Sequence, residues 1–104
     1  MLEKEIEQYL VAKCKTIGAL CEKFTSPNRR SVPDRLITFE CRVYFVELKA
    51  PGKKPTEGQL RDHKKRAAHG FHVWVIDSKD GVNRLLNTLV KLSDDFPLRG
   101  EDGD

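Results

Sequence analysis

Apolar positions recur at helical spacing over residues 2–17, where Leu2, Ile6, Tyr9, Leu10, Cys14 and Ile17 fall on one side. A short strand is expected near 20–24. The segment TSPNRRSVPD (25–34) is rich in turn formers and bases and reads as a loop. Two alternating runs follow, RLITFE (35–40) and RVYFVELK (42–49), and Pro51, Gly52 and Pro55 end the second. Thr56-Glu57-Gly58-Gln59 has the form of a capping box, predicting a helix that reaches Ala68 or His69 and stops at Gly70. FHVWVID (71–77) is apolar on both faces and predicts a central strand. A last helix over roughly 81–93 carries Val82, Leu85, Leu86, Leu89, Val90 and Leu92 on its apolar side.

The predicted order is therefore α β β β α β α. The two runs at 35–40 and 42–49 are joined too tightly for anything but an antiparallel hairpin. The strand–helix–strand unit over 43–77 should be a right-handed parallel crossover. Together these predict an α/β fold with a mixed sheet flanked by helices.

The chain has 104 residues, the size of one domain, with 38% hydrophobic and 34% charged residues. No apolar run reaches the roughly 20 residues of a membrane span. The opening MLEKEIEQ is acidic where a signal peptide is basic and then apolar. A soluble, cytoplasmic protein is expected. Three cysteines without a C-x-x-C pair argue against a disulfide framework and a zinc site. The net charge of +3 is uneven: Asp95, Glu101, Asp102 and Asp104 against Arg99 give residues 95–104 a net of −3, leaving +6 on residues 1–94. We expect a folded body over 1–94, a flexible acidic tail over 95–104, and a polyanion as partner.

One strand departs from its own pattern. Val43, Phe45, Glu47 and Lys49 share a face of the run 42–49, so two charges sit at the C-terminal end of an otherwise apolar strand. Taken alone they could be an ion pair on a strand emerging into solvent. Asp34 changes this. It stands at the start of the neighbouring strand, and antiparallel pairing should bring it beside Glu47 and Lys49. Two adjacent carboxylates raise each other's pKa unless a cation joins them. Mg²⁺ takes one or two carboxylates and keeps its other positions for water and phosphate. A lysine beside that pair suits phosphodiester hydrolysis.

Pro33-Asp34 followed by Glu47-Leu48-Lys49 is the motif of the PD-(D/E)xK nuclease superfamily, whose restriction-endonuclease-like αβββαβ core matches the order above. The stretches EKEIEQYL, KFTSPNRRSVPDRLI, FVELKAPGKKPTEGQ and GFHVWVIDS, spanning roughly 3–78, more specifically resemble the VRR-NUC domain in its small stand-alone phage form. The resemblance implies that Asp34, Glu47 and the Leu48 carbonyl bind Mg²⁺ or Mn²⁺, with a helix-1 glutamate completing the site. Glu3 matches best, with Glu7 a turn away left open. It further implies that Lys49 is the catalytic lysine and that Gln59 belongs to the site, alongside the capping role read from its spacing. Lys23, Ser26, Arg29, Arg30, Arg35, Lys53 and Lys54 flank these positions and suit contacts to DNA phosphates. Ser31 stands where the family usually has glycine.

The function implied is a metal-dependent, structure-specific endodeoxyribonuclease of bacteriophage type, acting in a bacterial host's cytoplasm. Similarity to homodimeric Holliday-junction resolvases points to four-way junctions, and a chain this short favours DNA structure over sequence as what is recognised. Flap or other branched-DNA cleavage is the alternative within that class. A catalytically silent DNA-binding protein, or a non-nuclease α/β module with a structural ion pair, are the alternatives outside it.

Overall fold

The computed structural model describes residues 1–95. The elements run α1 (Glu3–Ile17), β1 (Leu20–Lys23), β2 (Arg35–Phe39), β3 (Arg42–Leu48), α2 (Glu57–Ala68), β4 (Val73–Ile76) and α3 (Lys79–Asp95). The sheet order is β1-β2-β3-β4, antiparallel between the first three strands and parallel between β3 and β4. This is the mixed α/β arrangement expected. The acidic tail beyond Asp95 lies outside the described residues.

Local chemistry sets the element ends. Glu40 and Cys41 both take positive φ (47° and 65°) in a two-residue connection, as a type I′ hairpin turn requires. Thr56 Oγ1 accepts from the Gln59 N–H at 3.2 Å, and Gln59 Oε1 accepts from the Thr56 N–H at 2.9 Å, completing the capping box at α2. Gly70, at φ 90°, ends α2 with its N–H on Ala67 while the Phe71 N–H reaches Arg66 O, a Schellman closure. Ser31 has no such angle: Glu40 and Cys41 are the non-glycine residues of positive φ among those described. The serine is thus tolerated in place of glycine.

α1 and α3 cover one face of the sheet. Ile6, Leu10 and Cys14 meet Ile37, Tyr44, Val46, Leu48 and Ile76, with Val82, Leu85, Leu86 and Leu89 closing the core. The Tyr9 hydroxyl donates to Asn83 Oδ1 at 2.8 Å and ties the two helices together. The opposite face lies under α2. There Arg66 stacks its guanidinium 4.8 Å from the Phe45 ring centre and 5.1 Å from that of Phe24. All three cysteines are free thiols. Among the described residues no helix is long and apolar enough to cross a membrane.

Two expectations need correction. β4 is an edge strand and not a central one. Trp74 and Ile76 pack towards the α1/α3 core and Val73 is buried, but Val75 is 44% exposed. Val73 and Val75 share one face of the strand, and the cover on that face reaches Val73 but not Val75. α3 also begins earlier than 81, because Ser78 Oγ accepts the Gly81 N–H at 2.9 Å and caps the helix from Lys79.

Candidate active site

The hairpin register sets Arg35 opposite Val46, so Asp34, one step outward, falls opposite Glu47. Buried Pro33 holds the entry to β2. The Asp34 carbonyl accepts from the Phe24 N–H at 3.0 Å, and its Oδ2 accepts from the Leu48 N–H at 2.7 Å. Asp34 is therefore fastened on both sides, to the strand before it and to the strand carrying Glu47.

Glu47 is 1% exposed, at the end of β3 and beneath α2. Gln59 Nε2 donates to its Oε2 at 2.9 Å, and His63 Nε2 lies 3.4 Å from its Oε1, a donor in the matching tautomer. Gln59 thus serves the cap and contacts Glu47 through different side-chain atoms. Burial first, then a hydrogen bond to Asp34 and that residue's charge, push the Glu47 carboxyl up to about 8. Lys49 follows directly and its charge opposes the shift, while Glu3 adds to it. Burial also lowers the His63 pKa, keeping that ring neutral.

The two helix-1 glutamates are told apart by their partners. Glu7 Oε2 accepts from Arg35 Nε at 2.8 Å, which commits both groups. Glu3 forms no such pair among the described residues and acts on Glu47 by its charge. Glu3, Glu7, Lys23 and Asp34 line one open cleft of about 290 Å³. No three His, Cys, Asp or Glu side chains among the described residues gather as a closed metal cage. What is present is a pair of hard carboxylates with an open side. That donor set fits Mg²⁺ or Mn²⁺, and a cation there would offset the cost of ionising buried Glu47.

The flanking bases divide into two groups. Lys23, Arg30, Lys53 and Lys54 are exposed, and Ser26 is half-buried. Arg29 instead donates to Asp62 Oδ1 at 2.7 Å, and Arg35 is held by Glu7. The turn bearing Lys53 and Lys54 is anchored where the Gly52 N–H donates to Asp77 Oδ2 at 3.1 Å.

Two residues of this charged helix carry contacts that no motif in the sequence marks: His63 meets Glu47, and Asp62 holds the loop before Asp34. Asp62 is 3% exposed and receives Arg29 and also Arg66, at 2.7 Å. Gln59, Asp62, His63 and Arg66 recur at i, i+3, i+4 and i+7, the spacing of one helix face. That spacing, alternating with exposed Lys64 and Lys65, was the available signal. A close approach joins α2 to the loop as well: a Cβ at Gly58 would stand 2.7 Å from Ser31 Oγ.

No family model matches the chain. Over 79 residues it is 49% identical to the protein described as "Putative nuclease p44" of Acyrthosiphon pisum secondary endosymbiont phage 1, covering 75% of this chain and 85% of the relative. A solved structure described as "VRR_NUC domain" superposes with a TM-score of 0.77 at 29% identity, covering 82% of this chain and 94% of that one. With the carboxylate pair, the lysine and the glutamine in place on this fold, the chain belongs to the VRR-NUC family of the PD-(D/E)xK nuclease superfamily.

Proposed function

We propose that this chain is a Mg²⁺- or Mn²⁺-dependent endonuclease that hydrolyses phosphodiester bonds in branched DNA, cutting four-way junctions as a homodimer. The observation that carries the reading is Asp34 opposed to Glu47 at the end of β3, with Lys49 beside them. Asp34, Glu47 and the Leu48 carbonyl would hold the cation, with Glu3 at the margin. The cation, when bound, supplies Lewis acidity at the scissile phosphoryl group.

The chain's own residues do the rest. Lys49 places an ammonium beside the attacking water and the charge that develops on phosphorus-bound oxygens. Gln59 and His63 hold the Glu47 carboxylate in orientation from α2, and the Leu48 N–H does the same for Asp34. Lys23, Ser26, Arg30, Lys53 and Lys54 take phosphates on either side, which positions DNA without reading its sequence. Arg29 and Arg35 serve through their ion pairs, fixing the loop and Glu7. A two-fold dimer suits a junction, because each active site meets one of two equivalent strands. The compartment this reading implies is the cytoplasm of a bacterial host.

The test is a panel of labelled duplex, flap, splayed and four-way-junction DNAs with Mg²⁺, Mn²⁺ or EDTA. Symmetric nicks on the junction, abolished by EDTA and by Lys49→Ala, are expected. Preference for flaps would replace the junction while keeping the nuclease. Binding without cutting would leave a silent DNA-binding protein. Failure both to bind DNA and to change melting temperature with Mn²⁺ would overturn the site assignment.

A further inference from the structure

Away from the carboxylates, Lys4, Gln8, Val11, Ala12 and Lys15 share the outer face of α1, at the spacing of successive helical turns. With Lys23 and Arg35 they line a cleft of about 450 Å³. Glu7 and Lys23 line both this cleft and the smaller one that contains Glu3 and Asp34, so the two run together. Arg35 and Glu7 neutralise each other. Lys4, Lys15 and Lys23 take part in no salt bridge found among the described residues. Lys15 complements the negative end of the helix dipole, but Lys4 stands in the first turn, where that dipole disfavours a cation. Helix stability therefore gives no reason for Lys4, whereas an external anion does.

We propose that this face of α1 is a track for the phosphate backbone of one DNA arm leading away from the cleaved bond. The inference rests on the nuclease reading and adds Lys4, Gln8 and Lys15 to its contacts. Small Ala12 and half-buried Val11 leave a shallow apolar floor for sugar between the flanking lysines. From Lys4 to Lys15 the helix rises roughly 16 Å at 1.5 Å per residue. That matches the axial length of about five nucleotides of one strand at 3.4 Å each. The track thus spans half a turn of an arm, in keeping with recognition of DNA shape.

The test compares wild type, Lys4→Ala/Lys15→Ala, Lys4→Arg/Lys15→Arg, and Lys64→Ala/Lys65→Ala as a control of equal charge loss elsewhere. Binding of a fluorescent four-way junction is followed by anisotropy across KCl concentrations, with a fixed low Ca²⁺ concentration in place of Mg²⁺. Each lost phosphate contact reduces the slope of log K against log salt by about 0.9. The expected result is a slope reduced by roughly two such steps in the alanine pair, restored in the arginine pair and unchanged in the control. In cleavage, KM rises for the alanine pair while kcat at saturating DNA stays. Equal slopes in wild type and the alanine pair, or equal losses in the control, would overturn the track and leave the nuclease standing. A wild-type protein that binds no DNA would overturn the nuclease reading and the track with it.

Discussion

Gln59 reaches Glu47 from the first turn of α2, Nε2 to Oε2 at 2.9 Å, while its other side-chain atom closes the helix cap on Thr56. One residue joins helix initiation to the geometry of the buried carboxylate. The two duties can be separated because they use different partners. Thr56→Ala removes the side-chain acceptor and should cost about 1 kcal/mol of stability with cleavage little altered. Gln59→Glu keeps a cap acceptor but turns a carboxylate against Glu47, so cleavage should fall roughly 10- to 100-fold. Urea denaturation and junction-cleavage rates on both variants check this. Equal loss of cleavage in the two would mean that the cap alone matters.

Glu47 sets a pH dependence for the metal-free protein. Its folded pKa, pushed to about 8, lies above the ordinary 4.5. The folded state therefore holds this proton more tightly, and the stability it contributes is complete below about 4.5 and lost as pH rises through 8. His63 acts the other way: burial lowers its pKa, so stability is gained as pH rises towards its ordinary 6.5. Above that, His63 is neutral in both states. Melting temperatures in EDTA should thus fall between pH 6.5 and 8 in wild type relative to Glu47→Gln, and added Mn²⁺ should shrink the difference. Parallel pH profiles for the two proteins would show that Glu47 is not strained when ionised.

Asp62 ties the loop that ends in Asp34 to α2. It receives Arg29 from the loop and Arg66 from its own helix, and Arg66 in turn lies over Phe24 and Phe45. Asp62→Ala leaves Arg66, only 19% exposed, without its counter-charge, at a cost of roughly 3 kcal/mol. Arg29→Ala removes a half-exposed partner and should cost far less, yet free the loop. Limited proteolysis is the discriminating measurement: cleavage within 25–32 should accelerate in Arg29→Ala while the melting temperature barely moves. An unchanged cleavage rate would detach the loop's order from this ion pair.

How far such features can be read from the chain depends on whether neighbours in space are also neighbours in pattern. Asp34 meets Glu47 through a hairpin whose two-residue connection leaves one register open, so antiparallel pairing of adjacent strands predicts the pair. Thr56 and Gln59 are three residues apart, and their cap is a local matter. Arg29 with Asp62 and Glu7 with Arg35 are different: these partners lie 33 and 28 residues apart and meet only after the loop and helices have docked. Nothing in local periodicity marks them, and Arg29 and Arg35 look like any surface base. β4 misled for a related reason. Val75 is as apolar as Val73 and shares its face of the strand, and only the packing of the folded chain shows that one is covered and the other is not.

His63 is the second support of Glu47, one helical turn beyond Gln59, with a side chain 13% exposed. Such outer-shell partners typically change metal affinity or activity 10- to 100-fold when removed. His63→Ala should therefore weaken Mn²⁺ binding by about tenfold, read by titration calorimetry or by the loss of the free-ion electron-spin signal. His63→Gln keeps an N–H donor at similar reach and should restore most of that affinity. A merely packing role predicts a different pattern, since Gln and Ala would then differ in melting temperature while Mn²⁺ affinity stayed at the wild-type value in both. Because Gln59 still holds Oε2 in these variants, the effect of Gln59→Glu/His63→Ala should exceed the sum of the single changes, as expected when two donors orient one carboxylate.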